Sequence, residues 1–415
     1  MSKKITFVVT LLLLLLITSK VSWAAPDPST LQAQQKAASA AAEWLITIHQ
    51  NDDGGYTSFS TGANAQPSDL SGTLDAVLAL TSAGYDLQTP YPGKTSTPFA
   101  YLANNGEALF AYAQTDGSAA GKVVLALLAL KQDPRTFAGH DFVTALQGTL
   151  AEDGSFTVTA PFQQALAILG LSAAGEQVPA EAATWLVSRQ SVEEGFAGSW
   201  DDGFGTLGNA DATAMSLMAL TSAGIVPDDA IVEAIAAATI YLTSSQTETG
   251  GWEYGPGFGA NVNSTALVIQ ALTRLGQDVA TPMAYLLANQ STSGAFQADF
   301  GNGPTDDFYA TVQALPALGA GIPLPTATTA PTAYVAAATP APTSEPTAYV
   351  PPTVAPQATV NTLGTDRPTP TPGADVAPPL IEPADSGTPI VAYMGGLIVV
   401  VLGLGGFFYL RRRAS

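Results

Sequence analysis

Residues 241–252, YLTSSQTETGGW, and residues 285–296, YLLANQSTSGAF, agree at every position that carries chemistry. An aromatic-Leu pair (Tyr241-Leu242, Tyr285-Leu286) is followed by a Gln (Gln246, Gln290), a Gly (Gly250, Gly294) and an aromatic (Trp252, Phe296). Trp44-Leu45 with Gln50, Gly54 and Tyr56 fits with one extra residue. Trp185-Leu186 with Gln190 and Gly195 fits with the aromatic displaced to Phe196 or Trp200. Two further copies are eroded: one runs from Tyr101-Leu102 through Gly117 without the aromatic, the other keeps Leu146, Gly154 and Phe156 but lacks the Gln. Between copies, Ala/Leu-rich segments line up on Leu80, Leu130, Leu171, Leu220, Leu272 and Leu318, 41 to 52 residues apart. That period holds one helix pair with its loops, so the chain reads as a repeat architecture.

The two helices of each pair differ in kind. In 211–224 (DATAMSLMALTSAG), and likewise in 265–276 and 74–84, small or apolar residues fill nearly every position, as in helices covered on all sides. By contrast, 181–190 (EAATWLVSRQ) keeps Ala, Trp, Leu and Val to one side and Glu, Thr, Ser and Arg to the other, as an outer helix does. Gly84, Gly175, Gly224 and Gly276 stand where inner helices need a left-handed cap, with Pro179 and Pro227 shortly after two of them. Six buried helices alternating with six amphipathic ones close into a double ring. The expected fold class is all-α, an α6-α6 barrel of six helical hairpins. The repeated Gln, with Tyr56 and Trp252, is expected to seal open backbone groups at helix ends.

Lys3 and Lys4 before an apolar run, with Ser22-Trp23-Ala24 after it, predict a signal peptide over residues 1–24. The toroid is expected over 25–324, followed by a Pro/Thr/Ala-rich disordered spacer over 325–389. In polyproline conformation, at about 3.1 Å per residue, the spacer reaches on the order of 200 Å. Residues 390–410 are apolar and uncharged and precede Arg411, Arg412 and Arg413, which predicts one transmembrane helix with a basic cytoplasmic tail, 411–415. No LPxTG-type sortase signal precedes this segment, so the helix itself is the expected anchor and the toroid is expected outside the cell.

The chain has no Cys, which excludes disulfides, thiolate metal sites and Cys nucleophiles. Outside the signal segment and tail, eight basic residues face 34 acidic ones, a balance that repels nucleic acid. Acidic turns such as Asp52-Asp53-Gly54-Gly55 and Asp201-Asp202-Gly203 miss the spacing of a calcium loop, so no metal site is expected. His49 and His140, the only histidines, have no catalytic partner suggested by their neighbours.

The repeat resembles the QW-type motif of the terpenoid cyclase and protein prenyltransferase superfamily, the α/α toroids with prenyltransferase/squalene oxidase repeats, over Ala37 to Leu324. The resemblance implies the fold firmly and the activity loosely. Prenyltransferases of the superfamily bind zinc through an Asp, a Cys and a His, and Cys is absent here. Class II cyclases protonate substrate with D-x-D-D-T-A at the start of an inner helix; the matching segment, Asn209-Ala210-Asp211-Ala212-Thr213-Ala214, keeps only the middle acid. Asp211 is therefore the alternative catalytic residue, and a first-turn acid stabilised by the helix dipole is the favoured reading. Asn261-Val262-Asn263-Ser264-Thr265 and Val312-Gln313-Ala314-Leu315-Pro316-Ala317-Leu318 are similar to toroid domains of intrinsic factor and transcobalamin. Those carriers add a second, β-rich domain where this chain begins its spacer.

Residues at the inner-helix N-termini are expected to share one mouth of the ring, where backbone N–H groups are open to a ligand. The candidates are Asp69, Phe162, Gln163 and Trp200, then Asp201, Asp202, Asn209 and Asp211, then Tyr254, Asn261 and Asn263, and finally Asp306, Asp307 and Tyr309. The expected function is a membrane-tethered, non-catalytic binding module, its partner a large small molecule such as a cobalamin-like corrinoid or an isoprenoid, with no other cofactor. The alternatives are a terpene cyclase- or prenyltransferase-like enzyme and a protein-binding structural toroid at the cell surface. Asp202 and Asp307 facing each other across the ring would suit a glycosidase, against which the repeat signature argues.

Overall fold

The structure, a computed structural model, describes residues 28–57 and 67–319. The expected signal peptide, spacer, transmembrane helix and basic tail lie outside the described residues. Among the described residues no helix is long and apolar enough to cross a membrane.

Thirteen α-helices make up the described chain. Six are inner: α2 (Leu70–Ser82), α5 (Gly117–Ala129), α7 (Pro161–Ala173), α9 (Ala210–Leu220), α11 (Val262–Arg274) and α13 (Phe308–Gly319). Each packs on the next, and α13 packs back on α2, so the inner helices form a closed ring. Around them lie the outer helices: α1 (Pro28–Trp44), the pair α3 (Pro98–Asn104) and α4 (Gly106–Ala113), α6 (Phe142–Gln147), α8 (Ala180–Ser188), α10 (Asp229–Ser244) and α12 (Ala280–Ala288). Two short antiparallel hairpins, β1 (Trp252–Glu253) with β2 (Ala260–Asn261) and β3 (Gln297–Asp299) with β4 (Pro304–Asp306), lead into α11 and α13. The α/α toroid expected from the repeat is the fold observed.

Small residues allow the inner ring to close tightly. A Cβ on Gly170 of α7 would lie 2.6 Å from the Gly121 Cα of α5, a separation that only two glycines permit. The predicted caps Gly84, Gly175, Gly224 and Gly276 all take positive φ, from 70° to 86°.

The repeated Gln, Gly and aromatic build a seam. Gln190 Nε2 donates to Gly198 O (2.9 Å) and to Ala234 O of the following outer helix (2.8 Å). Gln290 repeats this with Gly294 O and Ala37 O, and Gln246 and Gln50 donate to Gly250 O and Gly54 O. The aromatic packs beneath the loop: Tyr56, Phe156, Trp200, Trp252 and Phe296 are fully buried. Trp200 Nε1 donates to Leu186 O and Trp252 Nε1 to Leu242 O, the last turns of their own outer helices.

Both eroded copies depart from the repeat for physical reasons. Gly117 belongs to no loop: it is the first residue of α5, pressed against the Phe156 backbone, to which its amide donates. The second hairpin instead breaks its outer helix at Asn105 and turns inward through Gln114–Asp116. In the third repeat the missing outer-helix Gln is replaced from inside. Gln164 of α7 accepts from Phe156 N (3.0 Å) and donates to Gly154 O (2.9 Å) and Ala182 O (3.2 Å).

Candidate ligand site in the lumen of the ring

The starts of five of the six inner helices follow one rule; α7, which begins after Ala160, has no capping side chain. Asp69, Asp116, Asn209, Asn261 and Asp307 accept the amide three residues on, at 2.6 to 2.9 Å, and so cap α2, α5, α9, α11 and α13. Four residues after the cap, Thr73, Thr213, Thr265 and Thr311 donate back to the cap carbonyl. Their hydroxyls also accept the amide of Tyr56, Trp200, Trp252 and Phe296. These threonines are fully buried and point outward into the seam.

Their direction fixes the lumen. At about 100° per residue, the positions two before and two after such a threonine lie about 160° away, toward the ring axis. The exposure pattern agrees. Away from the helix ends, half-buried inner-helix residues fall two places after the cap (Ser118, Phe162, Asn263), six places after it (Leu166, Gln313) or, at Leu78, nine places after. The lumen face thus forms a cup whose least covered layer, its rim, lies at the cap end, where Asp211 and Tyr309 share a layer with Phe162 and Asn263.

Below the rim the cup is two-faced. Leu166, Met215 and Leu267, from α7, α9 and α11, give an apolar sector. The adjoining sector, from α13, α2 and α5, presents Gln313, Asp75 and Lys122. Lys122 Nζ pairs with Asp75 Oδ1 at 2.8 Å and donates to Ser71 Oγ at 3.2 Å, with both partners under a tenth exposed. Burial raises the Asp75 carboxyl, with Lys122 opposing; burial also works against the Lys122 ammonium, but Asp75 and Tyr112 outweigh it and hold its pKa above the ordinary value.

Asp211 is buried in the first turn of α9, and its Oδ1 has no hydrogen-bond partner. Burial pushes its carboxyl up to about 6; the neighbouring Ser264 hydroxyl pulls the other way and Asp202 adds to the rise. Tyr254, on the loop after β1, donates to Asp202 Oδ2 at 2.8 Å, and burial followed by the Asp202 and Asp211 carboxyls holds its phenol well above the usual range. Asn209 ties the group together by donating to Tyr254 O at 3.0 Å. Asp202, Asn209, Asp211 and Tyr254 therefore form one cluster at the lumen mouth.

The remaining candidates are distributed by their partners. Asp69, Asn261 and Asp307 serve as caps, and burial raises the Asp307 carboxyl against the Ala310 and Tyr309 amides. Gln163 accepts the Ala160 amide at 3.3 Å. Asp201 turns its loop by accepting from Gly203 N, and exposed Asp306 accepts from Ser293 Oγ. Trp200 is buried in the seam with its indole N–H engaged, away from the lumen. Asp53, in the other acidic loop, accepts from Gly55 N and Ser68 Oγ, an ordinary turn. His49 packs between Trp44 and Phe308, and burial lowers it to about 4; His140 stacks on Phe110.

Asp75, Lys122 and Gln313 were not among the sequence candidates. A signal existed: Lys122 is the only charge in the apolar helix GSAAGKVVLALLA, and all three stand six places after a cap.

The family model of the prenyltransferase alpha-alpha toroid domain matches residues 18–202 and 209–318. Solved structures with the same fold include a single-residue variant of the type II terpene cyclase MstE from Scytonema, 14% identical, TM-score 0.50, matched over 70% of this chain and 97% of that one. An unsaturated glucuronyl hydrolase specific for heparin is 12% identical, TM-score 0.49, over 69% of this chain and 96% of that one. The ent-copalyl diphosphate synthase of Streptomyces platensis is 17% identical, TM-score 0.42, over 71% and 69%. At 14% identity the likeness to the MstE variant is one of fold. No curated protein sequence matches the chain.

Proposed function

Because this chain belongs to the prenyltransferase alpha-alpha toroid family, we propose that its lumen binds an isoprenoid-like molecule and that Asp211 gives it a proton, as in a terpene cyclase-like enzyme. The observation that carries this reading is the Asp211 carboxyl itself, buried at the rim with one oxygen unpartnered and its pKa raised to about 6. Such a group holds its proton into the range where a general acid is useful. The apolar sector of Leu166, Met215 and Leu267 supplies surface for hydrocarbon.

The surroundings of Asp211 narrow the substrate. Asn209 and Ala212 stand where the cyclase motif carries acids, and Asn209 is committed as a cap. Without those flanking acids, Asp211 is a moderate acid rather than a very strong one. A centre more basic than a plain alkene suits it, such as an epoxide oxygen: the Asp211 O–H breaks, the oxygen takes the proton, and the opening C–O bond leaves a cation for a neighbouring double bond to capture. Loss of a proton from the product carbon restores the acid, so the net reaction is an isomerisation.

The test is incubation of the full-length protein with the terminal epoxide of geranylgeraniol, with products read by gas chromatography and mass spectrometry. Cyclised product from the wild type, absent with Asp211→Asn while the epoxide still binds, is the expected result. Binding without turnover by both proteins would end the catalytic reading. Saturable one-to-one binding of aquocobalamin in its place would favour a membrane-tethered corrinoid carrier.

A further inference from the structure

The polar sector of the lumen is built from six-after-cap positions on three consecutive helices, Gln313 of α13, Asp75 of α2 and Lys122 of α5. In that sector the Asp75–Lys122 pair is internally neutralised through Asp75 Oδ1, whereas Asp75 Oδ2 and Gln313 Oε1 are buried oxygens with no hydrogen-bond partner. A buried acceptor left without a donor costs on the order of 1–3 kcal/mol, and most buried polar groups in native structures have a partner. Both stand at lumen-face positions of their helices, and Gln313 as a whole residue is half-buried.

We infer that Asp75 Oδ2 and Gln313 Oε1 form a subsite for an uncharged hydrogen-bond donor of the ligand, an alcohol hydroxyl, across the lumen from its hydrocarbon part. This rests on the reading of the lumen as the ligand site and assigns the substrate class within it. The charge arrangement selects the donor. An ammonium would meet the Lys122 ammonium, and a carboxylate or diphosphate would meet two bare oxygens. A hydroxyl meets neither repulsion and supplies the missing proton. The ligand is then an amphiphile with an apolar body against Leu166, Met215 and Leu267 and an alcohol group on the α13–α2 side.

The full-length protein is titrated with the terminal epoxide of geranylgeraniol and with the methyl ether of the same compound, which keeps the oxygen but has no proton to donate. Binding is followed by calorimetry. The wild type is expected to prefer the alcohol about tenfold, one well-placed hydrogen bond. Gln313→Leu, at a half-buried site where folding is spared, is expected to shrink the preference to threefold or less. Asp211→Asn is expected to leave it intact. Equal affinity of the wild type for both compounds overturns the subsite while leaving the lumen and its acid in place. A preference lost in Asp211→Asn and kept in Gln313→Leu overturns it too, by sending the hydroxyl to the rim. Failure of both compounds to bind removes the lumen reading and the subsite together.

Discussion

Gln290 Nε2 donates to Ala37 O at 2.8 Å across 253 residues of sequence, joining the last repeat to the first outer helix. The same amide also holds Gly294 O at 2.8 Å. Along the ring, Gln190 makes the equivalent bond from its loop to Ala234 of the next outer helix. The bond from Gln290 differs in closing a circle.

Closure can be measured against a matched control. Gln246→Leu removes a bond to Gly250 O within its own repeat, whereas Gln290→Leu also strips Ala37 O of its donor. Each lost bond costs about 1 kcal/mol, more where the acceptor stays buried. Gln290→Leu is expected to lower stability about twice as much as Gln246→Leu in urea unfolding, and to hasten proteolysis within α1. Equal losses would mean that packing of α13 on α1 and α2 closes the ring unaided.

Gln164 carries three bonds where the other repeats divide the work between an outer-helix Gln and an inner-helix Thr. Gln164→Met keeps the volume and leaves Phe156 N, Gly154 O and Ala182 O without that partner. The expected loss is about 3 kcal/mol, the largest among the seam glutamines. A loss no greater than that of Gln246→Leu would show that backbone shifts restore those bonds.

Lys122 and Asp75 test the cost of a buried pair. Lys122→Met leaves the Asp75 carboxylate uncompensated among packed helices, an expected loss of about 3–5 kcal/mol. The double variant Lys122→Met/Asp75→Leu is expected to recover most of it, since apolar replacement of a buried pair is often neutral. A double-mutant cycle in thermal unfolding reads the coupling. No recovery would indicate that the pair fixes the α2–α5 contact itself.

The fold was legible because its cause is periodic. Aromatic-Leu, Gln and Gly recur with one spacing, and each residue meets the same backbone groups in every turn of the ring. The lumen was only partly legible, because the residues facing it occupy two positions per inner helix inside segments that are apolar throughout. Nearness to the helix starts pointed to Phe162, Asp211, Asn263 and Tyr309, which stand two places after their caps on the lumen face. The same rule also brought in Asp69, Asn261 and Asp307, whose side chains cap. Trp200 shows the limit: a large aromatic beside two acids resembles a ligand platform in sequence, yet its indole N–H reaches Leu186 O in the seam. Locating Asp75 and Gln313 required the rotation of the helix, which the Asp/Asn-to-Thr cap spacing encodes and hydropathy does not.

Asp211 is expected to reveal its burial through the pH dependence of stability. Its carboxyl is raised from 3.8 to about 6 in the fold, so below the lower value folded and unfolded chains both hold the proton and the group is neutral in the balance. As pH rises through that window the unfolded chain releases its proton first, and the fold loses up to about 3 kcal/mol by pH 7. Asp211→Asn has no proton to lose. It is therefore expected to be more stable than the wild type at pH 7, to lose that advantage near pH 4, and to be inactive, an exchange of stability for a working acid. Urea unfolding of both proteins at the two pH values measures the difference. An advantage of equal size at both would mean that the Asp211 carboxyl titrates as it does in water, and the acid role proposed for it would fall.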